Sequence, residues 1–280
     1  MLISESLDIA RQLRDKQGVA VSLNALAVFA RDRGDVKLAH ALFEESLVLW
    51  RELGDQKAVA RALSNLANVV KLQADYDRAR SLYAECLSIF RGLGDPTGVA
   101  WSLNYQGDVA RDQCDSAAAR TLYEQGLTIF RELGDRWGIA GTLADLGSLA
   151  REQRNYPGAH SLYRESLKIF KELEHKRGIA RLLECFACTA AAELEAERSL
   201  RLAGAAAALR QSIGTPLTPA EQAKLESTLD PARQVLTNTA GATVWLEGWA
   251  MPVEKAVEEA LMPHSAARSV TATGRDHPTT

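Results

Sequence analysis

Four basic residues recur at intervals of forty positions along this chain: Arg31, Lys71, Arg111 and Arg151. A row of cations on one surface could bind the carboxylates of an acidic peptide or of a chain terminus through charge-assisted hydrogen bonds. A second explanation is available, because each cation lies near the end of a predicted helix, where positive charge complements the helix dipole. In that case the cations pair with the neighbouring Asp32, Asp112 or Glu152. The sequence leaves both explanations open.

The cysteines at 185 and 188 form a C-x-x-C pair. A zinc site needs about four ligands, and Cys86 and Cys114 lie in distant parts of the sequence. A redox-active pair needs a helix N-terminus to lower the thiol pKa, whereas Cys185 and Cys188 fall inside a predicted helix. We therefore expect packed, unreactive cysteines and no metal site.

No motif for catalysis can be read from the chain. The five histidines share no motif with a serine or a cysteine, and no glycine-rich phosphate-binding loop follows a strand. The sequence therefore predicts no enzyme activity and no cofactor.

Composition and charge argue against several other classes of protein. The 280 residues carry a formal net charge of −3 and are 46% hydrophobic, which disfavours a disordered chain and direct binding to nucleic acid. No apolar run reaches the roughly 18 residues of a membrane-spanning helix, and the opening MLISESLDIARQLRD does not read as a signal peptide. Four cysteines are too few for a disulfide framework and fit a reducing compartment. We expect a cytoplasmic protein.

The elements that would position these residues belong to a forty-residue repeat. The tripeptide LGD at 53–55 recurs at 93–95 and 133–135, and GVA at 98–100 recurs as GIA at 138–140 and 178–180. Apolar residues spaced by three and four predict two antiparallel helices in each unit. Short polar residues at predicted helix starts, such as Asp75 and Asn155, suit N-caps, and Gly54 suits a left-handed helix end. The sequence predicts an all-α fold.

The same spacing picks out a shared core. One column contains Leu23, Leu63, Leu103, Leu143 and Leu183, and another contains Phe43, Tyr83, Tyr123 and Tyr163. Small residues such as Gly107 and Gly147 occur where two helices would approach closely. Because neither helix of a pair can bury its apolar stripe alone, stacked repeats are expected to form one continuous core.

Alignment of the repeats divides the chain into an array with two different ends. Residues 1–15 align with a second helix whose first helix is missing, so either the sequence is part of a longer array, which we favour, or this open face binds a partner or a second copy. Five helix pairs follow at 16–55, 56–95, 96–135, 136–175 and 176–213. Residues 214–262 are predicted to form a helical C-terminal cap, with helices at 219–229, after Pro231 and at 253–261, and with Trp245 and Trp249 covering the last repeat. Residues 263–280 are expected to be disordered.

The pattern Leu143-x-x-Leu146-Gly147-x-x-Ala150, followed by Ala159-x-x-x-Tyr163, resembles the tetratricopeptide repeat. The usual period is about 34 residues, so forty indicates a long-helix subclass. The resemblance implies a right-handed α-solenoid of antiparallel helix pairs whose first helices line a concave groove. The tail from Leu202 through Trp245 to Val253 is similar to the C-terminal region of bacterial signal-transduction ATPases and of LuxR- or AfsR-like regulators. That resemblance implies a sensor or interaction arm. The P-loop and DNA-binding motifs of those proteins are absent from the sequence and are not carried over.

The family register places a set of side chains in the predicted groove. Those expected to contact a partner are Asn24, Arg31, Arg61, Asn68, Lys71, Trp101, Asn104, Asp108, Arg111 and Arg151. They predict a non-catalytic protein or peptide interaction module, either as the arm of a bacterial signalling or transcriptional regulator or as a free-standing scaffold that binds an acidic peptide. If the basic column is exposed in the groove, charge reversal at Arg111 or Arg151 should weaken binding and leave stability nearly unchanged.

Overall fold

The computed structural model describes residues 2–262, and within that range the chain forms helices and no strand. The fourteen helices are α1 Leu2–Gln12, α2 Lys16–Asp32, α3 Val36–Leu53, α4 Gln56–Leu72, α5 Tyr76–Gly92, α6 Pro96–Asp112, α7 Ser116–Leu133, α8 Arg136–Glu152, α9 Tyr156–Glu172, α10 Lys176–Ala192, α11 Ala196–Ser212, α12 Pro219–Val235, α13 Asn238–Trp249 and α14 Val253–Leu261. The all-α prediction is confirmed. The predicted disordered tail, 263–280, lies outside the described residues.

Helix ends occur where the capping residues predict them. Asp75 and Asn155 each accept a hydrogen bond from the backbone N–H three residues later, and Gly54 adopts a left-handed conformation with φ of +73°. In the fifth repeat the aspartate is replaced by His175, whose Nδ1 accepts from the N–H of Gly178 at 3.0 Å. A ring nitrogen therefore satisfies the same free donor that a carboxylate satisfies elsewhere.

The two helices of each pair cross at a point where only a small residue fits. A Cβ atom on Gly107 would lie 2.7 Å from the ring of Tyr123. Tyr83, Tyr123 and Tyr163 are fully buried, as are Leu23, Leu63 and Leu183. The predicted core columns are therefore confirmed as the apolar interior of the stacked repeats.

The first helices of the pairs (α2, α4, α6, α8 and α10) approach one another along one side of the array. Helix α8 contacts both α6 and α10, in addition to its own partner α9. Polar side chains link them, because Asn65 on α4 donates to Asn24 on α2 at 2.9 Å and Asn104 on α6 donates to Asp145 on α8 at 3.2 Å. We call this side of the first helices the inner face. It is the side of the right-handed solenoid that the sequence predicted to form the groove.

The C-terminal cap differs in detail from the prediction. Helix α12 continues through Pro231, whereas a break was expected there. Pro231 is exposed, so the carbonyl that loses its partner can be hydrated, while Leu229 and Ala232 on the other side of the helix are buried in the core. The helix expected after Pro231 corresponds to α13, which begins at Asn238 and contains both tryptophans. Its residues have little amphipathic pattern, and its place is set by close backbone contact with α11.

Helix α1 packs against α2 and leaves much of its apolar surface uncovered. Leu2, Ile9 and Leu13 are exposed, and Ile3 is 37% exposed where the equivalent Phe43 is fully buried. Self-association through this face stays a prediction.

Candidate functional site

Several predicted groove residues are engaged in the chain's own structure. Asn104 is only 3% exposed, since it donates to Asp145 and its oxygen accepts from the hydroxyl of Thr142 at 3.1 Å. The oxygen of Asn68 accepts from Tyr83 at 2.9 Å, and its amide donates to a carbonyl of its own helix. These amides fix the spacing of neighbouring helices.

Each member of the basic column has a carboxylate partner. The pairs and their N–O distances are Arg31–Asp32 at 2.8 Å, Lys71–Asp108 at 3.6 Å, Arg111–Asp108 at 4.0 Å and Arg151–Glu152 at 3.6 Å. The four basic side chains are only 16–25% exposed. Of the two explanations that the sequence leaves open, the structure shows the pairing: Arg31 lies against Asp32, Lys71 against Asp108 and Asp112, and Arg151 against Glu152. Their contact with a partner stays a prediction.

Asp145, which is buried, and Asp108, whose side chain is 21% exposed, connect α4, α6, α8 and α10 into one charge network. Burial opposes ionisation of Asp108, but Lys71 and Arg111 outweigh it and hold the pKa of Asp108 below its ordinary value. Burial raises the pKa of Asp145, although Arg181 of α10 pairs with it. Burial and the charge of Asp108 likewise raise the pKa of Tyr123, whose hydroxyl donates to that carboxylate at 2.7 Å. This network therefore holds together the helices that form the inner face.

Sequence reasoning missed the members of this network on α8 and α10. The column that contains Asp145 reads Ala25, Asn65, Tyr105, Asp145 and Cys185, so no residue type recurs in it. A search for residues that recur every forty positions therefore does not detect this column. The only available signal was the carboxylate itself within the otherwise apolar stretch 139–150, where a buried charge requires a partner.

An aromatic row runs along the inner face from the third repeat to the fifth. The ring of Trp101 lies 4.6 Å from that of Trp137, 4.8 Å from Phe130 and 6.0 Å from Tyr105. Trp137 also approaches His175 and is 47% exposed. Such an exposed indole in contact with other rings is typical of a binding surface. Trp137 was missed because the equivalent positions in other repeats are not aromatic.

A cavity of about 520 Å³ opens between the second and third repeats. Trp101, Tyr105 and Phe90 form its apolar walls, and Lys57 and Arg61 of α4 contribute cations. Lys57 pairs with Asp95 at 2.9 Å, whereas Arg61 is exposed and forms no ion pair with any residue in 2–262. We call this the aromatic cavity. It places the guanidinium of Arg61, whose charge also helps to lower the pKa of Asp95, beside a wall of rings.

A second cavity, of about 620 Å³, lies where the two ends of the array meet. The α2–α3 turn touches the start of α12, so that a Cβ on Gly34 would lie 3.2 Å from Cγ of Pro219. The lining comes from repeats one, two, three and five and from the cap, and Tyr105 borders both cavities. We call this the end-junction cavity.

A sequence model of the tetratricopeptide repeat family matches residues 18–92, 58–132 and 98–172, which together span more than half of the chain. The chain belongs to the tetratricopeptide repeat family. Its members are interaction scaffolds built from helix pairs, in accord with the inner face described above. A comparison with curated proteins gave no match.

Two solved structures share this tetratricopeptide repeat architecture. One is BtubC (BKLC) from P. vanneervenii, with a TM-score of 0.57 and 21% identity, covering 83% of this chain and 87% of that one. The other is a Rap protein complexed with competence and sporulation factor, with a TM-score of 0.65 and 14% identity, covering 86% of this chain and 65% of the Rap chain. At these identities the likeness concerns the fold.

The cysteines lack the environment of a reactive pair. Burial raises the pKa of Cys188 to about 12, and the pKa of Cys185 is also raised by burial. Cys86 donates to the carbonyl of Ala60 at 3.2 Å within the core. Across residues 2–262 no group of three or more His, Cys, Asp or Glu side chains is arranged to hold a metal ion, and no helix there has the length and apolarity to span a membrane.

Proposed function

We propose that this tetratricopeptide repeat protein is a non-catalytic interaction module that binds an extended peptide along its inner face. The observation that carries the proposal is the aromatic cavity, where the unpaired guanidinium of Arg61 stands beside Trp101 and Tyr105. A guanidinium binds a carboxylate in two-point fashion, and an indole face accepts an apolar side chain. The cavity therefore suits an acidic residue next to an apolar one.

The shape of the surface favours a peptide over a small metabolite. The aromatic row continues from Tyr105 through Trp101 and Trp137 to His175, across three repeats. A ligand that contacts all of these rings must be long and extended. The Rap complex, whose title names a bound factor, supports ligand binding by a protein of this architecture.

We further propose that this module is the interaction arm of a bacterial signalling or transcriptional regulator and acts in the cytoplasm. The tail from Leu202 to Val253, with its likeness to the ends of bacterial signal-transduction ATPases, supports this placement. The second candidate is a free-standing scaffold that binds an acidic peptide. A coding region for a nucleotide-hydrolysing module, upstream and in frame with this one, would favour the regulator.

The peptide proposal can be tested by selection from a displayed library of random twelve-residue peptides on the immobilised protein. We expect enriched peptides to combine Asp or Glu with an apolar residue and to bind Trp101→Ala and Arg61→Gln roughly tenfold more weakly or worse. Arg164→Gln, an exposed and unpaired arginine on α9, is the matched control and should bind as the wild type does. If the same peptides were enriched as strongly on Trp101→Ala and on Arg61→Gln as on the wild type, the proposal would be overturned.

A further inference from the structure

The end-junction cavity brings together cations from opposite ends of the chain. Arg33 follows α2 in the first repeat, and Arg177 begins α10 in the fifth; both side chains line the cavity and both are exposed. Neither forms an ion pair with any residue in the described part of the chain. Arg33 is held over the ring of Phe29, with its guanidinium carbon 5.5 Å from the ring centre. Two unpaired guanidiniums thus border one space.

The remaining charges of this cavity are satisfied within the protein. Arg31 pairs with Asp32, and Lys71 pairs with Asp108 and Asp112. Glu221 accepts hydrogen bonds from the N–H and the hydroxyl of Thr218 in a capping box. Asp32 and Glu221 also line this cavity, but they are engaged by Arg31 and by the capping box, and neither forms an ion pair with Arg33 or Arg177.

The cap side of the cavity is firmly anchored to the last repeat. The buried side chain of Arg210 pairs with Glu184 and also donates to the carbonyl of Thr215, in the segment that leads to α12. The opposite side is the tight α2–α3 turn, where Gly34 has a φ of +83° and contacts Pro219. Both walls are therefore defined by fixed backbone.

We propose that the end-junction cavity is a second, anion-binding subsite, formed only when the two ends of the array meet, and that it takes a carboxylate of the acidic peptide bound in the aromatic cavity. This inference rests on the proposed function. Tyr105 borders both cavities, so one extended peptide can pass from Arg61 to the junction. Arg33 and Arg177 bind its anionic group from two sides, as planar guanidiniums do.

The test uses a fluorescein-labelled pentapeptide with four glutamates around one phenylalanine, followed by fluorescence polarisation. We expect Arg33→Gln and Arg177→Gln each to weaken binding roughly tenfold, because each loses a charge-assisted contact. Arg164→Gln should stay within about twofold of the wild type, since one charge outside both cavities contributes little. The same peptide with glutamine in place of glutamate should not bind. Wild-type affinity in both Arg33→Gln and Arg177→Gln would overturn the inference.

The requirement that the ends meet has its own experiment. A Cβ on Gly34 would lie 3.9 Å from Cβ of Pro219, within the range of about 3.5–4.5 Å found in disulfides. Because Gly34 has a φ of +83°, a side chain there strains the turn, so Gly34→Cys alone is the reference for affinity. In Gly34→Cys/Pro219→Cys, with the exposed Cys114 changed to Ser, glutathione disulfide accepts the two electrons and yields one protein disulfide and two glutathione thiols. We expect the oxidised protein to retain affinity for the pentapeptide. The inference would be overturned if oxidation abolished binding by the double variant and reductant restored it, while oxidation left binding by Gly34→Cys alone unchanged.

The outcomes separate this inference from the proposed function. Binding that Arg61→Gln weakens but Arg33→Gln and Arg177→Gln do not would leave the peptide groove standing and remove the junction subsite. Pentapeptide binding that is insensitive to all three changes would count against both. Displacement of the pentapeptide by millimolar inorganic phosphate, but not by sodium chloride of equal ionic strength, would support the anion subsite and assign it to phosphate groups as well as carboxylates.

Discussion

The helix crossings of this array repeat the same kind of contact from one repeat to the next, whereas the inner face carries different residues in each repeat. At the crossings the same chemistry returns in each of three consecutive repeats: Tyr83, Tyr123 and Tyr163 are buried, and their hydroxyls donate to Asn68, Asp108 and Ser148. On the inner face one column reads Val21, Arg61, Trp101, Gly141 and Arg181. The crossings are constrained because every repeat must meet the same neighbour. On the inner face the contacts between neighbouring first helices are made by different residues in each repeat, such as Asn24 with Asn65 and Asn104 with Asp145, so the side chains of this column can differ and line distinct cavities.

A second lesson concerns charges that look alike in the sequence. Arg111 and Arg61 both lie on first helices and were both expected in the groove. Arg111 lies 4.0 Å from both Asp108 and Asp145, whereas Arg61 forms no ion pair within residues 2–262 and acts only at longer range, where its charge helps to lower the pKa of Asp95. One charge belongs to the structural frame of the inner face and the other is available to a ligand.

The largest expected effect separates these two arginines. Arg111→Met should lower the free energy of unfolding by about 3–5 kcal/mol, because the buried Asp145 and the partly buried Asp108 lose a compensating cation. Arg61→Met should change it by less than about 0.5 kcal/mol. Urea denaturation followed by circular dichroism measures both. Equal stability of the two variants would remove the distinction drawn between frame and ligand site.

A core column gives the next largest effect. Leu143→Ala should destabilise the protein by about 2–5 kcal/mol, since it removes a residue that is only 1% exposed and leaves a cavity shared by adjacent repeats. The matched control is Leu133→Ala, in which the leucine is 43% exposed. We expect the control to melt close to the wild type. A similar loss in both variants would mean that burial in the array does not set the cost.

The smallest effect tests the one repeat that uses a histidine as its cap. His175→Ala should cost about 1 kcal/mol, because the N–H of Gly178 loses its acceptor. His175→Asp should restore most of that stability by reproducing the cap of the earlier repeats. Thermal denaturation of the three proteins checks the order. An alanine variant as stable as the wild type would show that the ring nitrogen does not act as a cap.

The sequence predicted the helix pairs and the core because both depend on local, repeated signals. Asp75 caps its helix through a neighbour three residues away, and Gly107 is recognisable because Gly147 occupies the same place forty residues later. Helix α13 has a local cap, since Thr237 accepts from the N–H of Ala240 at 3.3 Å, but it has no counterpart in the repeats that would indicate where it packs. It lies against α11 because the backbones at Gly204 and Gly248 can approach closely, and a Cβ at either would collide with a carbonyl of the other helix. Nothing in the order of residues indicates that contact.

By itself the sequence determined the helices, their caps, the forty-residue step and the buried columns, since these follow from propensity, capping and apolar spacing. Tertiary structure alone decided which charged side chains form ion pairs within the chain. The distance from Arg111 to Asp145, and the lack of an ion pair at Arg61 within the described residues, depend on the twist between successive pairs. The end-junction cavity depends on the same twist. Gly34 meets Pro219 only because the rotation between successive pairs adds up over five repeats. The total rotation is a sum over all of the repeats, so it cannot be predicted from any single segment of the sequence.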